Sequence, residues 1–154
     1  MEKYEINEET LAIMPISKEK VRVYEIDNSF IVNQNIQKIM EDSCKYFGSS
    51  YEGRKKGTKD MIGVTYKAPI IIEESKEIIF FPTSSSRYNN PVWISLNHIK
   101  RYYKKGKLIV IEFQSGEKIE LNISYGIIDN QILRATRLES VLRGRKDRKK
   151  RLNL

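Results

Sequence analysis

The chain has 154 residues, 40% hydrophobic and 31% charged, a composition that supports one folded domain with a real core but not two full domains. No apolar run approaches the roughly 18 residues that cross a bilayer, no basic-then-apolar leader opens the N-terminus, and a single cysteine, Cys44, excludes an intrachain disulfide, so a reducing cytoplasmic setting is expected. Residues 1–42 carry five Lys/Arg against nine Asp/Glu, whereas residues 43–154 carry twenty-three against eleven, so the net +8 is a −4 segment ahead of a +12 body.

Four short β-like runs come first: Tyr4-Glu5-Ile6, Thr10 to Ile16, Val21 to Ile26, and Ser29 to Val32. Asp27-Asn28 between the last two is a two-residue hairpin signal. A helix follows, with Asn33 as the expected N-cap. Ile36, Met40, Cys44 and Phe47 recur at helical spacing and mark one apolar face. Gly48 supplies a left-handed stop. Ser49 and Glu52, three apart, have the spacing of a capping box, which predicts a second short helix running towards Met61. Gly53 and Gly57 weaken it, each by up to about 1 kcal/mol.

The rest reads as antiparallel strands. Ile70-Ile71-Ile72 and Ile78 to Phe81 flank a polar loop, Glu73 to Glu77. Val92 to Leu96 and His98 to Tyr103 are further strands. Leu108 to Phe113 and Glu117 to Ile123 form a hairpin around Ser115-Gly116. Ile128, Ile132, Ala135, Leu138 and Leu142 then predict a helix from about Asp129 to Arg143, ended by Gly144. The expected class is α+β: mostly antiparallel sheet with a central helix pair and a C-terminal helix. Residues 1–144 form the expected single domain, and 145–154 a basic C-terminal tail.

Catalytic chemistry is thinly represented. One histidine, His98, and one cysteine leave too few ligands for a structural zinc. Cys44 lies on the apolar stripe of the first helix, where packing is its expected role, and His98 sits in a strand-like run. Asp60 followed by Glu74-Ser75-Lys76 has the order of a magnesium nuclease site, but the residues 73 to 77 already have a simpler role as a loop. No catalytic residue, metal site or cofactor is expected.

Three basic clusters are more informative. Lys45, Arg54, Lys55, Lys56, Lys59 and Lys67 are interleaved with Tyr46, Tyr51 and Tyr66. Arg87, Lys100, Arg101, Lys104, Lys105 and Lys107 accompany Tyr88, Tyr102 and Tyr103, with no acid from Arg87 to Ile111. Arg143 to Arg151 is the third. Solvated strand faces and a frayed tail explain any one lysine; the ensemble points to a polyanion, nucleic acid first and an anionic membrane second. The expected DNA contacts are Ser49 and Ser50 at a helix N-terminus, with Arg54, Lys55, Lys56, Lys59, Arg87, Lys100, Arg101, Lys104 and Lys105. Glycines at 53 and 57 suit a helix-turn-helix recognition helix poorly, and a glycine-rich basic loop fits minor-groove insertion better. A lipid-headgroup or peptide-binding module and, last, the nuclease remain the alternatives.

The block Ser43-Cys44-Lys45-Tyr46-Phe47-Gly48-Ser49-Ser50-Tyr51-Glu52-Gly53-Arg54-Lys55-Lys56-Gly57-Thr58 resembles the signature block of the competence transcription factor family (ComK). Lys67-Ala68-Pro69-Ile70, Phe80 to Ser84, Trp93-Ile94-Ser95, Ile123-Ser124-Tyr125, Asn130-Gln131 and Arg134-Ala135 follow in order. The resemblance runs from about Tyr4 to Leu142. It implies an activator of DNA-uptake genes, with no enzymatic activity and no cofactor. Such a protein binds paired A/T-rich boxes on double-stranded DNA, mainly through the minor groove, as a homo-oligomer, and sits with the nucleoid in the cytoplasm. RNA polymerase is a further candidate partner; no membrane partner is implied. Longer family members continue into a segment that an adaptor uses to present them to a Clp protease. Because the sequence stops at Arg151-Leu152-Asn153-Leu154, that control is not expected here.

Overall fold

A computed structural model describes residues 1–83 and 91–152. Three strands, β1 (Thr10–Ser17), β2 (Lys20–Glu25) and β3 (Ser29–Val32), lead into helices α1 (Ile36–Tyr46) and α2 (Tyr51–Ile62). Strands β4 (Ile70–Glu73), β5 (Ile78–Thr83) and β6 (Val92–Ser95) follow, then one 3-10 turn, Leu96–His98. Strands β7 (Ile99–Lys105), β8 (Leu108–Phe113) and β9 (Lys118–Leu121) precede the long helix α3 (Tyr125–Leu152). The architecture is α+β with antiparallel sheets.

The first sheet has six strands in the order β3-β2-β1-β6-β5-β4, and the second has three, β7-β8-β9. Strand pleating sends alternate side chains to opposite faces of the first sheet. Ile70, Ile72, Phe80 and Trp93 join the buried cluster under α1, with Ile39, Met40 and Cys44. Their neighbours Ile71, Ile79, Phe81, Val92 and Ile94 join the opposite cluster, with Ile111 and Phe113 of β8 and Ile128, Ala135 and Leu138 of α3. The six-stranded sheet is therefore a middle layer covered on both faces. That is why β5 and β6 read as unbroken apolar runs rather than as alternation.

Several local expectations shift. Tyr4-Glu5-Ile6 is not a strand. Tyr4 N donates to Gln34 Oε1 (3.1 Å) and Ile6 N to Ser43 Oγ (2.9 Å), so side chains take the donors a ladder would use. The N-cap of α1 is Asn35, not Asn33. Its Oδ1 accepts from Gln37 N (2.8 Å) and Lys38 N (3.3 Å), while Asn33 hydrogen-bonds Glu2. Ser50 rather than Ser49 caps α2, accepting from Gly53 N at 3.0 Å.

The second helix expected towards Met61 is present as α2, a continuous helix of 12 residues, so Gly53 and Gly57 do not make this segment a glycine-rich basic loop. Tertiary anchoring overrides its weak propensity: Thr58 Oγ1 is buried and donates to Pro69 O at 2.7 Å. Gly63 closes the helix in the left-handed region at φ 72°. A Cβ at Gly53 would lie 2.9 Å from the capping Ser50 Oγ, so a larger residue there would displace the cap.

The largest difference is α3, which starts at Tyr125 and runs 28 residues straight through Gly144. Beyond Leu142 it has no buried residue. Charge pairs hold it instead. Arg143 Nε and Lys146 Nζ reach the two oxygens of Glu77 at 2.8 and 3.3 Å, and Arg145 reaches Asp60 at 3.7 Å. These contacts flank Gly144 and offset its helix cost of about 1 kcal/mol.

Candidate nucleic-acid interface

Contacts along α3 bring together basic residues that are far apart in sequence. Tyr102 of β7 donates its hydroxyl to Asp129 at 2.6 Å, and its ring lies 5.6 Å from that of Tyr125. The Asp129 hydrogen bond, then burial, hold the Tyr102 phenol in its protonated form well above its ordinary range. Further along, Arg134 Nη1 donates to Tyr66 O at 3.2 Å, and Arg145 meets Asp60. The pairs 134–66 and 145–60 run in opposite senses, so the C-terminal half of α3 lies antiparallel to α2. The helix is thus a spine with β7 beside its first turns and α2 beside its later ones. From Asp129 to Arg145 that spine measures about 24 Å at 1.5 Å per residue.

On α2 the expected contact residues part company. Lys56 and Lys59 are exposed, and their ammonium groups have no partner among the described residues. Lys55 is half-buried with its ammonium 5.7 Å from the Tyr51 ring centre. The Arg54 side chain is only 16% exposed. Its Nη1 pairs with Glu74 at 2.8 Å, and its buried Nε has no hydrogen-bond partner. Arg54 therefore fastens α2 to the β4–β5 loop. Ser50 is engaged as the cap of α2, and Ser49 lies half-buried beside it. At the end of α3, Arg148, Lys149, Lys150 and Arg151 are exposed and unpaired among the described residues.

Strand β7 is an edge strand of the second sheet and shows Lys100, Arg101, Lys104 and Lys105 to solvent. Three cations share one acid. Glu112, with a side chain 7% exposed, receives Arg101 at 3.1 Å, Lys118 at 3.6 Å and Lys100 at 3.8 Å. The Arg101 hydrogen bond is the main reason its carboxyl is held below the ordinary range. Lys105 pairs with Glu120 at 3.3 Å, leaving Lys104 and Lys107 as the cations of this hairpin that are unpaired among the described residues. Arg87 and Tyr88 lie outside the described residues.

Sequence reasoning passed over one feature. Lys67, Pro82-Thr83, Ser124, Asn130-Gln131 and Arg134, scattered over four separate stretches, meet around one groove of about 540 Å³. No periodicity reveals it, because the turn after α2, the end of β5 and the start of α3 meet there only in the folded chain.

The catalytic alternatives do not assemble. Burial pushes the Cys44 thiol up to about 11, so it is protonated and inert at neutral pH. His98 Nε2 is engaged with Glu8 O at 2.6 Å. Asp60, Glu74 and Lys76 turn to separate partners, Arg145, Arg54 and Glu8. Among the described residues no group of three His, Cys, Asp or Glu is arranged to hold a metal, and no helix is long and apolar enough to cross a membrane.

Comparison with known proteins agrees with a regulatory role. The family model described as ComK protein matches residues 1–147. The competence transcription factor of Bacillus subtilis (strain 168) is 36% identical over 152 residues, covering 96% of this chain and 79% of that protein. No solved structure matches the chain.

Proposed function

The chain belongs to the ComK protein family, and from that membership we propose how a competence transcription regulator, not an enzyme, engages DNA through the basic surface organised by α3. Lys55, Lys56 and Lys59 of α2 and the cations beyond Leu142 make the principal contacts. Lys104 and its neighbours on β7 add phosphate contacts at the other end. Arg54 supports this surface by fixing α2 in place. The target is double-stranded DNA with paired A/T-rich boxes, entered from the minor groove, and two boxes call for more than one copy of the chain. The protein acts in the cytoplasm on the nucleoid.

One observation carries the reading. Among the described residues Lys56, Lys59 and Arg148 to Arg151 are exposed and unpaired, yet the helices that bear them are fixed by Arg54–Glu74, Arg145–Asp60 and Arg143–Glu77. Unpaired cations on a fixed scaffold neutralise phosphates without first breaking internal ion pairs. The spine of about 24 Å also matches about seven base steps of a DNA strand at 3.4 Å each.

Fluorescence anisotropy tests this, using a duplex with paired A/T tracts and a scrambled duplex of the same composition, each at two salt concentrations. The expected result is tract-selective binding that weakens steeply with salt. Equal binding to both duplexes would remove the sequence-selective part, and binding to anionic vesicles without binding to DNA would remove the reading altogether.

A further inference from the structure

The groove between the start of α3 and the turn after α2 has no role in the contacts assigned so far. Its lining holds two cations, Lys67 and Arg134, together with Tyr66, Asn130 and Ser124, and among the described residues no Asp or Glu. Its wall is built with care. Lys67 is a non-glycine residue at φ 50°, a left-handed conformation that costs about 1–2 kcal/mol. Gln131, 4% exposed, holds this turn by donating from Nε2 to Lys67 O at 3.0 Å and to Pro82 O at 2.6 Å. Arg134 Nη1 reaches Tyr66 O at 3.2 Å and Gln131 Oε1 at 3.4 Å. A buried amide and a guanidinium thus stabilise a strained two-residue turn against α3.

The turn displays Tyr66, which is 74% exposed, with the Lys67 ammonium 5.4 Å from its ring centre. Arg134 has five N–H donors, and the Tyr66 and Gln131 contacts use only Nη1, so donors remain to face the groove. Asn130 adds an exposed amide. A phosphate flanked by a sugar or base has the matching chemistry: an anion for the two cations and a flat or apolar face for the ring.

We propose that this groove is a phosphodiester-binding subsite that takes one backbone unit of the bound nucleic acid, with the phosphate between Lys67 and Arg134 and the adjoining sugar or base against Tyr66. The proposal rests on the DNA-binding reading above and extends the contact surface to the first half of α3, between the α2 and β7 ends. Gln131 is a positioning residue in it, acting only through the turn.

The test is anisotropy of the full chain on the paired A/T-tract duplex across a salt series, comparing wild type with Asn130→Asp and Tyr66→Ala. Asn130→Asp places a carboxylate in the groove and should weaken binding about tenfold while flattening the log K against log salt slope by about one, the value of one phosphate contact. Tyr66→Ala should weaken binding about five- to tenfold with the slope unchanged, as for a lost stacking contact. If wild type binds and both variants match it in affinity and slope, the groove proposal is wrong and the DNA reading stands. If wild type binds no duplex, both fall together. Should Asn130→Asp fail to fold, Tyr66→Ala decides, because an exposed ring can be removed without touching the core. Inorganic phosphate supplies the last arm: if it shifts the Gly126 and Asn130 amide resonances and the duplex does not, the groove serves a free phosphate and the proposal is overturned.

Discussion

The α2–α3 face and the β7 edge are both rich in lysine and arginine, but they are different electrostatic objects. On β7, Lys100 and Arg101 are held by the nearly buried Glu112, and Lys105 by Glu120. On α2 and beyond Leu142 on α3, Lys56, Lys59 and Arg148 to Arg151 have no internal partner among the described residues. A cation already paired with a carboxylate must give up that interaction to meet a phosphate, so its net contribution is smaller. Counting charges in the sequence makes the two clusters look equivalent. Pairing leaves the first with cations open to an external anion and makes the second chiefly a structural ladder, with Lys104 and Lys107 unpaired among the described residues.

The sharpest way to break this comparison is charge reversal. Lys56→Glu/Lys59→Glu should weaken DNA binding about a hundredfold, whereas Lys100→Glu/Arg101→Glu should cost about tenfold or less, given that each phosphate contact contributes about 0.9 to the salt slope. Equal losses in anisotropy titrations would show that pairing with Glu112 does not matter. Next in size, Ser50→Ala removes the cap of α2 without altering charge. A loss of about 1 kcal/mol is expected in chemical denaturation, with DNA affinity falling only as far as α2 frays. Unchanged stability would mean that Gly53 N finds another acceptor.

Glu112→Gln sharpens the comparison from the opposite side. It releases Lys100, Arg101 and Lys118, whose own ends are solvent-exposed, and should strengthen DNA binding about threefold. A weakened complex would show that the ladder positions these cations for DNA. The smallest effect concerns pH. Partial burial by itself would raise the Glu77 carboxyl, but the hydrogen bonds from Arg143 and Lys146 more than offset it, and the net shift is downward. A carboxylate with a depressed folded pKa contributes stability above its unfolded value, about 4.3, and that contribution is lost as pH falls through the folded pKa. Protection of the amides in residues 143–152, relative to their intrinsic exchange rates, should therefore fall as pH drops below the unfolded value while the sheets stay protected. Protection that falls everywhere at once would mean that the end of α3 is held by something other than Glu77.

Legibility in the sequence followed the range of the interactions. The hairpins β4–β5 and β8–β9 were readable because the register and turn lie within about a dozen residues of each other. The stop at Gly48 was readable for the same reason. The cap positions slipped by one or two residues, Asn33 for Asn35 and Ser49 for Ser50, because neighbouring Asn and Ser residues satisfy the same local rule. Of the candidate contacts, Lys56 and Lys59 are exposed and have no partner among the described residues. Arg54 looked identical to them in sequence yet faces Glu74, a residue twenty positions away.

By itself the sequence determined the α+β class, the basic character of the body, the buried role of Cys44 and the family resemblance, all of which rest on composition, short-range periodicity and contiguous motif. Tertiary structure alone decided three things. It carried α3 through Gly144, because Glu77 and Asp60 supply long-range anchors that no helix propensity includes. It sorted paired from free cations, because ion pairs form across strands and between helices. It also closed the groove under Tyr66, because the buried Gln131 reaches across the chain to hold two carbonyls that the sequence keeps far apart.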